Sequence, residues 1–260
     1  MLEVKDLSVS IGNNQILRNV NFGFYQPNVV GILGPNGAGK STLIKSLCGL
    51  PQYHIDGEIN ILNRPLAEWP LEELAKFRAL LPQSYNIPFP FKVKDVVSMG
   101  SYPHNKGKQS IIDITNAYQI MEALELLDIR EKLYTELSGG QKQRVLIGRV
   151  LLQLEYQSAY EKIVLFDEPT SSLDWRYQIQ VLSLARSLVL SNCLIFIAIH
   201  DVNMALEYCD TLILMKNGEL LNSFDTAEDI PISSLEELYE MKLEKILLTE
   251  DKVLIQNRAN

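Results

Sequence analysis

Residues 31–43 read GILGPNGAGKSTL, and the rest of the chain is best understood outward from them. Gly34, Pro35, Asn36, Gly37, Ala38, Gly39, Lys40, Ser41 and Thr42 fit the phosphate-binding loop pattern G-x-x-x-x-G-K-[ST]. A nucleoside triphosphate carries several negative charges and needs many donors at close range. The three glycines let the backbone turn tightly and bring its N–H groups against the phosphates. Lys40 adds a point charge for the β/γ oxygens, and the Ser41 hydroxyl is placed to ligate Mg²⁺. The flanks agree. Val29-Val30-Gly31-Ile32-Leu33 is an apolar run, expected to be a buried strand. STLIKSL at 41–47 opens a helix whose N-terminal dipole faces the anion. A plain glycine-rich turn before a helix would not require every fixed position of the pattern.

The remaining periodicities imply an α/β fold. Residues 2–25 alternate around a Gly12-Asn13-Asn14 turn, which predicts a β-hairpin or small antiparallel sheet. GEINIL at 57–62 predicts another strand. LEELAKFRAL at 71–80 has helical spacing. Prolines at 82, 88, 90 and 103 make 82–104 loop-rich with one short helix. Helices are predicted over 111–128, 141–154, 175–190 and 201–209. IVLF (163–166) and LIFIAI (194–199) are continuous apolar runs, as in parallel strands buried on both faces. The end of the chain predicts a helix over 233–246 and a strand at KVLIQ (252–256). The organisation expected is one domain, 1–260. Its core covers about 1–83 and 159–225, with a helical insertion at about 84–158 and an extension at 226–260.

Composition narrows the function classes. The chain has 260 residues, 47% of them hydrophobic and 22% charged, with a net charge of −8. An acidic balance disfavours nucleic acid or anionic lipid as a main partner. Cys48, Cys193 and Cys209 form no CxxC and are expected to be free thiols. The opening MLEVKDLSVS has no apolar h-region, so no signal peptide is expected. No apolar stretch is long enough to span a bilayer.

Two further motifs carry chemistry. IVLFDEP delivers Asp167 and Glu168 at the C-terminal end of a buried strand, where open α/β sheets bind ligands. Asp167 can organise Mg²⁺ there, and Glu168 can polarise an attacking water. LSGGQ at 137–141 precedes a helix. Ser138 is a plausible N-cap, and Gly139 and Gly140 expose N–H groups beside a positive helix end.

With these motifs assembled, the sequence resembles the nucleotide-binding subunits of ABC (ATP-binding cassette) transporters. LSGGQ is that family's signature. GPNGAGKST, the Gln83 loop, IVLFDEP, the 171–174 loop (SSLD) and His200 follow in the family's order, and the likeness runs from about residue 2 to 225. It implies a P-loop NTPase (RecA-like) core with a parallel sheet, an N-terminal antiparallel β subdomain and an inserted helical subdomain. It implies ATP and Mg²⁺ as cofactors, and a head-to-tail homodimer with each ATP between one phosphate loop and the other copy's LSGGQ. Ser138 and Gly140, with Gly139 and Gln141, would then serve the nucleotide in trans. Glu168 would be the general base, and His200 would contact the γ-phosphate and water. Gln83 would reach Mg²⁺ beside Ser41 and Asp167, and Asp174 would lie in the dimer seam. Two integral-membrane permease subunits and an extracytoplasmic substrate-binding protein would complete the machine, with this chain peripheral on the cytoplasmic face of the inner membrane.

One departure concerns the base. The family places an adenine-stacking aromatic in the first hairpin, and the aligned position here is Ile11; Phe24 and Tyr25 are other candidates. His54 and His104 are expected to be surface or loop residues. RPLAEWPLEELAKFRALLPQ and VVSMGSYPH resemble importers of iron chelates, haem and cobalamin, haem leading over ferric siderophore and cobalamin. A soluble ABC ATPase of cluster assembly is the alternative of another class. A P-loop GTPase would need an NKxD motif, which the chain lacks.

Overall fold

β1 (Leu2–Ile11) and β2 (Asn14–Phe24) form the expected antiparallel hairpin, with Ile11 opposite Asn14. β3 (Asn28–Leu33) runs into the phosphate loop and α1 (Lys40–Leu47). β4 (His54–Ile61) and β5 (Arg64–Pro65) join the other edge of β1, giving a four-stranded sheet ordered β2-β1-β4-β5. α2 (Leu71–Leu74) and β6 (Arg78–Leu81) come next. Among the described residues, four α-helices follow before the next strand: α3 (Val93–Ser98), α4 (Tyr102–Asn105), α5 (Ile111–Ala123) and α6 (Gly139–Leu154). The chain then alternates through β7 (Lys162–Asp167), α7 (Trp175–Val189), β8 (Cys193–Ala198), α8 (Val202–Tyr208) and β9 (Thr211–Lys216). β10 (Glu219–Asp225), α9 (Ile232–Tyr239) and a hairpin of β11 (Leu243–Thr249) and β12 (Lys252–Asn257) finish it. This computed structural model describes all residues except 51–52, 84–86, 106–107, 157–160, 172, 226–229, 250–251 and 258–260. The segment boundaries expected at 84, 158–159 and 226, and Ser172 of the 171–174 loop, lie outside the described residues.

The large sheet has the order β10-β9-β3-β8-β7-β6. Its five strands from β9 to β6 pair parallel, and β10 adds an antiparallel edge. Both faces are covered, which is why β7 and β8 read as unbroken apolar runs. Alternate side chains enter two separate cores. Ile163 and Leu165, with Leu194 and Phe196, face α1 and the antiparallel sheet. Val164 and Phe166, with Ile195 and Ile197, face the helices of the other side. Phe196 is fully buried, 5.8 Å from Phe22 and 5.6 Å from Phe24 between ring centroids. Burying such a side chain contributes about 1.5–3 kcal/mol, so these contacts weld the antiparallel sheet to the parallel one. α3, α5 and α6 pack chiefly on one another, the arrangement expected of an inserted helical unit.

Three elements differ from the sequence expectation. The helix over 71–80 stops at Leu74, and Arg78–Leu81 is the edge strand β6, paired with β7 from Arg78↔Ile163 to Leu81↔Phe166. Ala79 and Leu81 are buried in alternation, so an open sheet edge overrides helical spacing. The helix over 233–246 ends at Tyr239, where Glu240 takes a left-handed φ of 54°. Residues 243–246 then pair with 254–257 instead. The β9–β10 hairpin was not anticipated, although its Asn217-Gly218 turn carries a legible signal. Both residues have positive φ (51° and 82°), as a two-residue hairpin turn requires. His104 also departs from its surface reading: it lies in α4, stacked on Tyr156 at 3.9 Å and 3.1 Å from Gln153 O.

Candidate functional site

The phosphate loop is held from beneath by the hairpin that the sequence reading missed. A Cβ on Gly34 would lie 2.3 Å from Met215 O of β9, so only glycine lets the loop leave β3 at this point. Gly39 has φ 101°, and a Cβ there would meet Leu17 at 2.7 Å. Gly218 N–H donates to Ala38 O at 3.1 Å, while Arg18 N–H donates to Gly218 O at 2.8 Å. β2, the 217–218 turn and the loop are thereby locked in one stack. Gly39 precedes α1, so the loop's N–H groups gather at a helix N-terminus.

Lys40 is buried and donates to Gly34 O at 2.7 Å and Pro35 O at 3.1 Å. Burial pushes its ammonium below the usual lysine range, against the pull of Glu168 and Asp167. A cation under such strain favours an anionic ligand over the loop.

Asp167 is fully buried at the end of β7. Ser41 Oγ donates to its Oδ1 at 2.6 Å, which joins two of the three expected metal ligands; the third, Gln83, bonds Glu168 instead. Asp167 Oδ2 has no hydrogen-bond partner, and Lys45 Nζ stands 3.8 Å away. Burial raises its pKa above the ordinary carboxylate range, only partly countered by Ser41 and Lys45. A buried carboxylate oxygen left unpartnered beside a hydroxyl is a donor set for a hard cation. Among the described residues no cluster of three or more His, Cys, Asp and Glu side chains could hold a metal.

Glu168 is the meeting point. It has φ 51°, an uncommon value for a residue with a side chain and typical of strained functional positions. Gln83 Nε2 donates to its Oε2 at 2.6 Å, and His200 Nε2 lies 2.7 Å from its Oε1. β6 thus delivers Gln83, β7 delivers Glu168 and β8 delivers His200, all at the same sheet edge. His200 is 44% exposed and Glu168 12%, so the carboxylate is sheltered while the imidazole reaches solvent.

Residues 138–141 are built differently. Ser138 Oγ accepts from Gln141 N at 3.4 Å, and Gln141 Oε1 accepts from Ser138 N at 3.1 Å. This reciprocal capping box starts α6. Ser138 and Gly139 are exposed. α6 packs on α3, α5 and β6, whereas α1 packs on β2, β7 and β8. The two nucleotide motifs of one chain thus occupy separate neighbourhoods. Asp174 caps α7 by accepting from Tyr177 N at 3.2 Å, beside the exposed Trp175. Ile11 is 46% exposed at the end of β1. Sequence reasoning missed one connecting residue: buried Gln143 of α6 donates to Pro169 O at 3.2 Å, beside Glu168. Only the fold brings these positions together.

Known proteins identify the family. A family model described as ABC transporter matches residues 17–171. The hemin import ATP-binding protein HmuV of Vibrio cholerae is 36% identical over 239 residues, covering 92% of this chain and 90% of the relative. Its namesake from Gloeobacter violaceus is 39% identical over 222 residues, covering 85% and 80%. Among solved structures, a chain of an inward-facing transporter described as metal-chelate type superposes with a TM-score of 0.77 at 26% identity, covering 98% of this chain and 95% of that one. A dimeric ATP-binding cassette bound to ADP and Pi gives 0.74 at 26%, covering 88% and 100%. By its phosphate loop, its signature helix and these relatives, the chain belongs to the ABC transporter family, as an ATP-binding and ATP-hydrolysing subunit.

Proposed function

We propose that this subunit powers a haem importer. The observation that carries the substrate is the identity to hemin import ATP-binding proteins along most of both chains. Two copies would pair head to tail, each nucleotide lying between residues 34–42 of one and 138–141 of the other. Ser41 and Asp167 would hold Mg²⁺, with Gln83 reaching it, and the metal would neutralise charge developing on the β/γ oxygens. The unpartnered Asp167 Oδ2 supports that assignment. Glu168 would take the proton of the attacking water, and His200 would hold that water and the γ-phosphate in line. Asp174 would face the seam between the copies.

No helix among the described residues is long and apolar enough to cross a membrane. Permease subunits would bring the chain to the cytoplasmic face of the inner membrane, and haem selectivity would lie in them and in an extracytoplasmic binding protein. The helical unit expected over 84–158 would meet the permease. Phe89 is 64% exposed, Phe91 36% and Tyr102 50%. They offer an apolar grip for a cytoplasmic helix of the permease, close in sequence to Gln83. Deleting the gene should stop growth on haem as sole iron source and leave siderophore and cobalamin use intact. Loss of siderophore use with haem uptake retained would overturn the substrate. Failure to co-purify with any integral-membrane protein would favour a soluble cluster-assembly ATPase.

A further inference from the structure

His200 can serve Glu168 only if the turn carrying it is held in place, and three anchors hold that turn. Upstream, Ile199 N–H donates to Ile32 O at 3.2 Å, tying the turn to the strand that runs into the phosphate loop. Downstream, Asp201 Oδ1 accepts from Asn203 N at 2.8 Å and Met204 N at 3.0 Å, which caps α8. The third anchor comes from the far end of the chain. Asn203 Nδ2 donates to Ile255 O at 3.0 Å, and Ile255 N–H donates to Asn203 Oδ1 at 2.7 Å.

The Asn203 amide therefore engages both main-chain groups of a single β12 residue, as a neighbouring strand would. Ile255 is itself fixed: its side chain is buried in the larger core, among residues that include Leu235 and Leu238 of α9. β12 also has its own ladder to β11, from Leu243↔Asn257 to Thr249↔Lys252. The hairpin thus has pairing of its own beside Asn203, while α8, seven residues long, packs on β3, α7 and β12.

We infer that Asn203 is a positioning residue for His200, anchored by the C-terminal β11–β12 hairpin, so that the last segment of the chain fixes the catalytic turn. The inference rests on the reading of His200 given under the proposed function. Its test is a set of variants of the full chain, measured for steady-state ATP hydrolysis and for ATP binding. Asn203→Leu removes both bonds at similar volume. It should lower kcat on the order of 10-fold with ATP affinity unchanged, since small misplacements of a reacting group cost rate and not binding. Asn203→Asp keeps the acceptor for Ile255 N–H and loses the donor, so its fall should be smaller. In a His200→Ala background, Asn203→Leu should cause no further loss, because both changes disable one group.

A wild-type rate for Asn203→Leu would overturn the inference, as would losses that multiply in the double variant. Should Asn203→Leu not fold, Asn203→Asp decides alone, and a wild-type rate there is equally fatal. Normal hydrolysis by His200→Ala would instead remove the reading of His200 and the inference with it, which separates the two failures.

Discussion

The two nucleotide motifs of this chain solve opposite problems. The phosphate-loop region is assembled from far-apart segments: Ser41 bonds Asp167, Gln83 and His200 both bond Glu168, and Gly218 supports Ala38. It holds polar groups under stress, with a buried lysine, an unpartnered carboxylate oxygen and a glutamate at positive φ. The 138–141 region is local. Its side chains satisfy one another in a capping box and its surface faces solvent. A site with unmet demands is incomplete without a ligand, while a self-satisfied helix end is complete as structure. The proposed pairing asks nothing of the second region for its own chain's nucleotide. That region's N–H groups and positive helix end are available to a nucleotide held by another copy.

The sharpest way to break that contrast is Ser138→Arg. The change places a bulky cation where the second copy's γ-phosphate would sit. Hydrolysis should be abolished, while ATP binding by isolated monomers stays near wild type in an equilibrium binding assay. Lys40→Ala should do the reverse, losing binding in the monomer. Mixed heterodimers of the two variants should keep at most one composite site with both halves intact. Equal loss of monomer binding in both variants would mean that the regions serve the same nucleotide in the same chain.

Glu168→Gln probes the stressed region from within. The amide keeps the shape that Gln83 and His200 grip and cannot accept the water's proton. Steady-state hydrolysis should fall by about 10²–10⁴, and an ATP-bound dimer should accumulate on a sizing column. Near-normal turnover would show that another group is the base.

The contrast also explains what the sequence could reveal. GPNGAGKST, LSGGQ and IVLFDEP were readable because each chemistry sits in a contiguous run with a fixed backbone role. β7 and β8 were readable because burial on both faces leaves an unbroken apolar run. What escaped depends on distant partners. Residues 78–81 have helical spacing by themselves, and only the open edge of β7 makes them a strand. Residues 243–246 continue the helical pattern of 233–246 and pair instead because β12 is there to receive them. Gln143 and Asn203 look like ordinary helix-surface amides, and their partners at Pro169 and Ile255 lie 26 and 52 residues away. The Asn217-Gly218 turn is the exception: its dipeptide announced a hairpin, and its role under the phosphate loop required the fold.

The smallest effect expected is on stability, and it tests the stress itself. Burial raises the Asp167 pKa, so folding disfavours the ionised form. The sign follows. A raised carboxylate favours the fold while it is protonated, below the unfolded-state pKa of about 3.9, and that advantage is lost as pH climbs through the folded value. Once ionised, Asp167 of the metal-free protein is a carboxylate that its surroundings resist. Asp167→Asn removes the charge and keeps an oxygen for Ser41 to bond. In the absence of nucleotide and metal it should unfold at a higher temperature than the wild type near pH 7, and the gain should vanish as pH falls below the unfolded pKa. The same variant should lose Mg²⁺-dependent hydrolysis if, as proposed, the oxygen that stresses the free protein is the one that binds the cation. At 138–141 no gain in stability is expected: Ser138→Ala removes a cap and should lower stability by about 1 kcal/mol. A lower midpoint for Asp167→Asn at neutral pH would show that Lys45 and Ser41 already satisfy the carboxylate. The two regions would then differ in location and not in stored demand.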